Sequence, residues 1–452
     1  MDFVEILPLL MFAALAVLLF TGYPVAFVLG GVALGFGLIG YFFDAFSLNE
    51  FFNIMPRVWG GVAENLILTA VPMFIFMGTM LERSNVARDL LQTLSIMLRR
   101  VPGGLALAVT LMGTILAATT GIIGASVVMM TLLALPVMMD NRYSHALATG
   151  TIASSGTLGI LIPPSIMLVI MADLLSVSVG NLFVAALLPG LLLSGLYVIY
   201  IITVSGIKPA LAPRIDESKL EDVTGYQMFR SFVPPVVLIV LVLGSIFAGW
   251  ATPTEAAAVG GAGATALAAF NGQLSWAVLK DVCERTGLTI AMIFFIFIGA
   301  TAFSYVFGAM YGDDIIIEII HGMGLGSWGI LFVLMGLVFI LGFFFDWVEI
   351  TLIVLPVFGP VIEQLDFATH IANVDKIYWF AILVAVNLQT SFLTPPFGFA
   401  LFYMKGVAPP EIKIQSIYKG IIPFVVLQLG GLSAVMYWPE IAMWLPRVAF
   451  GE

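Results

Sequence analysis

The sequence predicts an all-α polytopic membrane protein, built as two inverted repeats with two re-entrant helical hairpins and broken helices. Three observations carry that prediction. Many apolar runs of about 20 residues alternate with short polar loops, and a run of that length crosses a bilayer core. The chain is 61% hydrophobic and 10% charged, where soluble domains carry about 25% charge. Three sequence patterns also recur in the same order in the two halves. A transmembrane β-barrel would show short alternating segments instead.

In the first half, apolar segments fall near 6–22, 24–43, 66–82, 101–122, 123–140, 146–172 and 181–206. The opening run carries Asp2 and Glu5 where a signal peptide would carry lysines, so it reads as a retained first helix. Residues 1–206 form the first expected repeat, with scaffold helices in 1–82, a hairpin at 101–140 and a broken helix at 146–172. The polar stretch that follows marks a cytoplasmic linker at 207–229. The second half has segments near 230–249, 253–271, 287–311, 327–345, 349–365, 377–402 and 420–445. Residues 230–452 form the second expected repeat, with scaffold helices 230–271, hairpin 327–365 and broken helix 377–402.

The duplication rests on three pairs. LTAVPMFIFMGTML (68–81) matches LTIAMIFFIFIGATA (288–302), and TGIIGASVVMMTLLALPVMM (120–139) matches FDWVEITLIVLPVFGPVI (345–362). SSGTLGILIPPS (154–165) matches VNLQTSFLTPPF (386–397), with Pro163 and Pro164 falling on Pro395 and Pro396. Charge sets the orientation. With both hairpins re-entrant, only Arg57, Lys376 and Arg447 of the 17 basic residues lie outside, as the positive-inside rule asks. Both termini are then periplasmic. The first hairpin enters from the cytoplasm and the second from outside.

Inverted repeats with broken helices belong to secondary transporters. Irregular backbone at membrane depth persists only where protein or water covers it. Pro163 and Pro164 remove backbone donors, and Gly156 and Gly159 permit unusual angles. Ser154, Ser155 and Thr157 add hydroxyls. Freed carbonyls and hydroxyls can replace the hydration shell of Na+, and freed amides favour a carboxylate. The second half supplies Asn387, Gln389, Thr390, Ser391 and Thr394 before Pro395 and Pro396. The bland alternative is that prolines and small residues only pack helices. Repetition of the device in both halves favours a shared site.

The hairpin tips come next. TTGIIGAS (119–126) is small and polar, while FFFDWVEIT (343–351) sets Asp346 and Glu349 at the second turn. Carboxylates at that depth are costly. They read as a cation site, a proton site or solute lining, or, with equal weight, as the cap of a half-helix with Asp346 as N-cap. Glu255 reads as a helix N-terminal charge after Pro253, and Asp173 as the end of a helix at the outer interface.

Several functions are excluded. A net charge of −10 gives nucleic acid no basic face. Cys283 is the only cysteine, so no intrachain disulfide or thiolate cluster forms. His145, His321 and His370 are placed in loops and read as histidines without a metal. No HExxH, suitably placed GxSxG or cysteine pair supports an enzyme, and no cofactor is expected.

GASVVMMTLLALPVMM, GTIASSGTLGILIPPSIMLVI, ATPTEAAAVG and NLQTSFLTPPFGFALFY together resemble the large membrane permease subunit of tripartite ATP-independent periplasmic (TRAP) transporters, in order over nearly the whole chain. The resemblance implies uptake of an organic acid, for instance a 2-oxo acid, coupled to Na+ and delivered by a periplasmic solute-binding protein. It implies an elevator movement of the hairpin domain in a bacterial or archaeal inner membrane. A small four-helix membrane subunit is expected to brace helices 6–43 and 230–271, as a chain separate from this one. The ion-binding turns are expected around Thr120, Gly121, Ser126, Ser155, Gly156 and Thr157 on one side. On the other they involve Asp346, Glu349, Asn387, Thr390, Ser391 and Thr394. Na+ itself is expected at Ser155, Gly156, Thr390 and Ser391. The second tip, Asp346-Trp347-Val348-Glu349, departs from the small residues that many relatives carry. The alternative is a stand-alone Na+- or H+-coupled organic anion exchanger with Asp346 and Glu349 as proton sites.

Overall fold

Hydropathy alone marks seven helices as long and apolar enough to cross a bilayer, or eight if one pair bent by 50° counts as a span. The computed structural model describes residues 3–120, 123–215, 225–395 and 398–451, and among these there are twenty α-helices and no strand. The first half holds α1 (Phe3–Leu19), α2 (Val25–Phe42), α3 (Leu48–Val58), α4 (Ala70–Arg83) and α5 (Val86–Met97). It continues with α6 (Gly104–Thr120), α7 (Ile123–Asp140), α8 (His145–Thr157), α9 (Ile166–Leu174) and α10 (Val179–Ile207). The second half holds α11 (Gly225–Phe247), α12 (Pro253–Phe270), α13 (Trp276–Ala309), α14 (Gly312–Gly322) and α15 (Ser327–Leu341). It ends with α16 (Trp347–Gln364), α17 (Lys376–Ser391), α18 (Phe399–Val407), α19 (Ile414–Tyr437) and α20 (Glu440–Phe450).

The same order appears twice. A scaffold helix (α4, α13) leads to a short amphipathic helix (α5, α14). A two-legged hairpin follows (α6–α7, α15–α16), then a broken helix (α8–α9, α17–α18), then a long helix (α10, α19). Contacts are exchanged between the halves. The second hairpin leg α7 packs on its own α8 and on α18, while α16 packs on its own α17 and on α9. Likewise α8 packs on α19, and α17 on α10. Two repeats related by a pseudo-two-fold axis produce that exchange.

The α8–α19 contact is as close as backbones allow. A Cβ on Gly150 would stand 2.2 Å from the Gly420 carbonyl oxygen, and one on Gly420 would stand 2.0 Å from that of Ala146. Small residues bring membrane helices together in this way, because lipid supplies no hydrophobic drive between them. Around this interior, α2 packs on α13 and α4 on α12. Their outward faces leave Phe27, Leu34, Val259 and Phe295 exposed, the surface a lipid bilayer covers. Trp59, Trp250, Trp276 and Trp438 are exposed at or just beyond helix ends, where interfacial tryptophans belong.

Several boundaries differ from those read in the sequence. Segment 66–82 is preceded by a separate helix, α3, that hydropathy passed over because it is amphipathic: Leu48, Phe52 and Met55 lie on one exposed apolar face and Asn49, Glu50 and Asn53 break the run. Segment 287–311 is the later part of α13, which starts at Trp276 because the Ser275 hydroxyl caps it, accepting from the Val278 amide at 3.2 Å. Segment 420–445 divides at Trp438, since Pro439 cannot continue α19. Two histidines are not in loops. His145 opens α8, and the backbone at His321 is helical within α14. His370 does lie in a connection, with a ring nitrogen 2.9 Å from the Met436 carbonyl oxygen.

Candidate functional site

The helix runs further into the first motif than its glycine and prolines suggest. Ser154, Ser155, Gly156 and Thr157 all belong to the last turns of α8. Their hydroxyls are satisfied within the helix: Ser154 Oγ donates to the Thr151 carbonyl at 3.1 Å, and Thr157 Oγ1 to that of Ser154 at 2.9 Å. The break itself is a 3-10 turn at Leu158–Ile160 followed by Leu161–Pro164, with Pro163 and Pro164 joined by a cis peptide. Ser165 Oγ then donates to the Ile160 carbonyl at 2.6 Å, satisfying one group that the break leaves over. The second motif follows the same plan. Thr390 donates to Val386, Ser391 to Leu388 and Thr394 to Thr390, each at 2.8 Å. After Pro395 the chain enters α18 through Gly398, whose φ of +33° suits glycine. Each of these hydroxyls has spent its one proton on the backbone and keeps lone pairs to offer.

Each broken helix is tied to the first leg of its own hairpin. Ser155 Oγ donates to Thr110 Oγ1 on α6 at 3.3 Å, and Asn387 Nδ2 donates to the Met335 carbonyl on α15 at 2.7 Å. Glycines make the approach possible. A Cβ on Gly113 would stand 2.7 Å from the Ser155 Cβ, one on Gly156 2.7 Å from Val127 Cγ2, and one on Gly342 1.9 Å from Ser391 Oγ. Ser126 is buried on α7.

The two tips are built differently. Tyr403 on α18 packs against the first tip, where a Cβ on Gly124 would stand 3.0 Å from its ring. Asp346 and Glu349 stand at the second tip. Those two carboxylates form a capping box at the start of α16. Asp346 Oδ1 accepts from the Trp347 amide at 2.8 Å and Glu349 Oε2 from the Asp346 amide at 3.2 Å. The capping alternative for Asp346 is therefore realised, and Glu255 does the same for α12 with Thr252.

Not every expected residue converges. Gly121 and Pro396 lie outside the described residues, as does the side chain of Thr120, whose backbone ends α6. The bond that joins the two breaks runs from Gln389 to Thr157, one of the residues expected at the ion-binding turns. Gln389 Nε2 donates to Thr157 Oγ1 at 3.4 Å and to the Tyr197 hydroxyl at 3.5 Å, and Gln428 Nε2 donates to that hydroxyl at 2.7 Å. The Oε1 atoms of Gln389 and Gln428 and the Thr151 hydroxyl oxygen are buried without a partner. Tyr197, Gln428 and Thr110 were not picked out in the sequence. For Gln428 the signal was available: an amide inside FVVLQLGG at membrane depth is costly unless it serves something.

Comparison with known proteins adds the following. Residues 12–441 match the family described as tripartite ATP-independent periplasmic transporter, DctM component. The C4-dicarboxylate TRAP transporter large permease protein of Pseudomonas aeruginosa is 30% identical, over 85% of this chain and 87% of that protein. The ectoine/5-hydroxyectoine TRAP transporter large permease protein of Ruegeria pomeroyi is 27% identical, over 98% of this chain and 99% of that one. The isethionate TRAP transporter permease protein DctMQ of Oleidesulfovibrio alaskensis is 28% identical, over 98% of this chain and 66% of that protein. In fold, the chain resembles the Alcanivorax borkumensis YdaH transporter, with a TM-score of 0.63, 14% identity and 90% of each chain covered.

Proposed function

The chain belongs to the DctM family, the large permease subunits of tripartite ATP-independent periplasmic transporters, and from that premise we propose that it imports a small organic acid with Na+ as the coupling ion. A periplasmic solute-binding protein would deliver the solute. A small four-helix membrane subunit would brace α1–α2 and α11–α12. The relatives' names cover C4-dicarboxylates, ectoine and isethionate, solutes that each carry an anionic group.

The observation that carries the reading is the pair of helix breaks. Each ends a buried helix in hydroxyls that donate their protons within the protein, Ser155 to Thr110 and Thr390 and Ser391 to the backbone, and that keep oxygen lone pairs able to accept. Oxygen donors without protons suit a hard cation. Na+ would sit at Ser155 and Gly156 in one half and at Thr390 and Ser391 in the other. The hairpins, clamped on the broken helices, would move with them past the scaffold in an elevator step. The repeats divide at the 207–229 linker, with both termini periplasmic in the inner membrane. The capping box at Asp346 and Glu349 weighs against the proton-coupled exchanger, since both carboxylates already serve main-chain amides.

Ser155→Ala and Thr390→Ala test the ion assignment. Each is expected to raise the Na+ concentration that half-activates uptake by about tenfold, the loss of one ligand worth about 1.4 kcal/mol. Unchanged Na+ activation in both variants would sink it.

A further inference from the structure

Of the three basic residues that the orientation places outside, two are already engaged. Lys376 Nζ donates to the Glu363 and Leu365 carbonyls at 2.9 and 2.5 Å. Arg447 pairs with Asp375 at 2.6 Å and Glu440 at 2.7 Å. Arg57 is different. Its guanidinium carbon stands 5.7 Å from the centroid of the Tyr305 ring, and among the described residues it meets no carboxylate. It opens instead into a cavity of about 650 Å³, within the range of small-molecule sites.

The cavity has two unlike walls. On the scaffold side, α13 presents the hydroxyls of Thr301, Ser304 and Tyr305, at i, i+3 and i+4 on one helical face, beside Phe297 and Ala300. On the side of the moving elements stand Asp173, Leu352 and Pro356. Asp173 Oδ1 accepts from Asn65 Nδ2 at 2.7 Å and keeps a second oxygen. Pro356 has no N–H, so the Leu352 carbonyl four residues back lacks its usual helical partner. Asp313 lines the cavity from the α13 side, with Oδ2 3.3 Å from where a Gly308 Cβ would stand. The cavity lining therefore sets one cation, Arg57, against two carboxylates, Asp173 and Asp313.

We propose that this cavity is a solute subsite, in which Arg57 holds the carboxylate or sulfonate end of a small organic acid and the Asp173–Leu352 wall holds a hydroxyl or ammonium donor at its other end. A dicarboxylate would set its second charge against Asp173 and Asp313, and like charges at close range repel. The substrate class is thus a monoanion or zwitterion with a distal donor. The proposal rests on the import reading above and refines it.

Labelling of a cysteine in the cavity tests it without needing transport. In a Cys283→Ser background, with the permease in its complex, Ser304→Cys is reacted with a thiol reagent in the presence of 4-hydroxybutyrate or succinate. The two probes differ only at one terminus. The expected result is that 4-hydroxybutyrate slows labelling at least about threefold and succinate does not. Arg57→Ala should abolish that protection and Arg57→Lys should keep part of it. Asp173→Asn with Asp313→Asn should let succinate protect. Equal protection by both probes, protection by neither, or protection that survives Arg57→Ala would overturn the subsite. Failure of the import reading shows separately, as absence of Na+-dependent uptake of any carboxylate by the assembled transporter.

Discussion

Tyr197 is fully buried where the two repeats meet, and its hydroxyl is the hub on which Gln389 and Gln428 converge. Removing one partner of such a group leaves a buried polar atom unsatisfied, at a cost of about 1–3 kcal/mol, whereas removing all partners together is far milder. Gln428→Leu should therefore lower the unfolding temperature, and adding Tyr197→Phe should restore part of the loss. Additive losses would show that the hydroxyl and the amide do not act together. The sequence disclosed the ends of this network, Thr157 and Gln389, because they sit beside recognisable prolines. It hid Tyr197 and Gln428 because each lies alone in a long apolar helix. Only tertiary packing brings them within reach. The carboxylates of Asp346 and Glu349 were legible as a tip feature, while their use as a capping box was legible only as one of two alternatives.

Among elements, the breaks and hairpins were the most legible features, since proline and glycine act on the local backbone wherever the chain places them. The amphipathic α3, α5 and α14 and the short α20 were not, because a search for long apolar runs averages their polar faces away. The exact end of α8 was not legible either, since prolines and glycines mark a break without fixing the residue where the preceding helix stops; Ser154 and Thr157 are still helical and bond back onto it. The proposed elevator step would separate internal from sliding contacts. Gly124 and Tyr403 touch within the body proposed to move. Phe20, just beyond α1, and Phe344, beside the second tip, have ring centroids 5.2 Å apart across its boundary with the scaffold. In a Cys283→Ser background, a bifunctional thiol reagent joining cysteines at positions 20 and 344 should arrest uptake. One joining positions 124 and 403 should leave most of it. Arrest by both or by neither would contradict an elevator step along that boundary.

At the scale of the whole molecule, composition and the order of the repeats were sufficient for the fold class, and contact exchange between the halves gives it physical form. Substrate chemistry was the least legible property. It depends on which side chains from distant segments share a cavity, and Arg57, Asp173 and Asp313 are far apart in the chain. The most direct measurement is uptake of labelled carboxylates into liposomes holding this chain and its small membrane subunit, under an inward Na+ gradient, with and without the binding protein. The account predicts uptake that needs both the gradient and the binding protein and that loses Na+ activation when Ser155 or Thr390 becomes alanine. Uptake by this chain alone, driven by a proton gradient and indifferent to Na+, would contradict it.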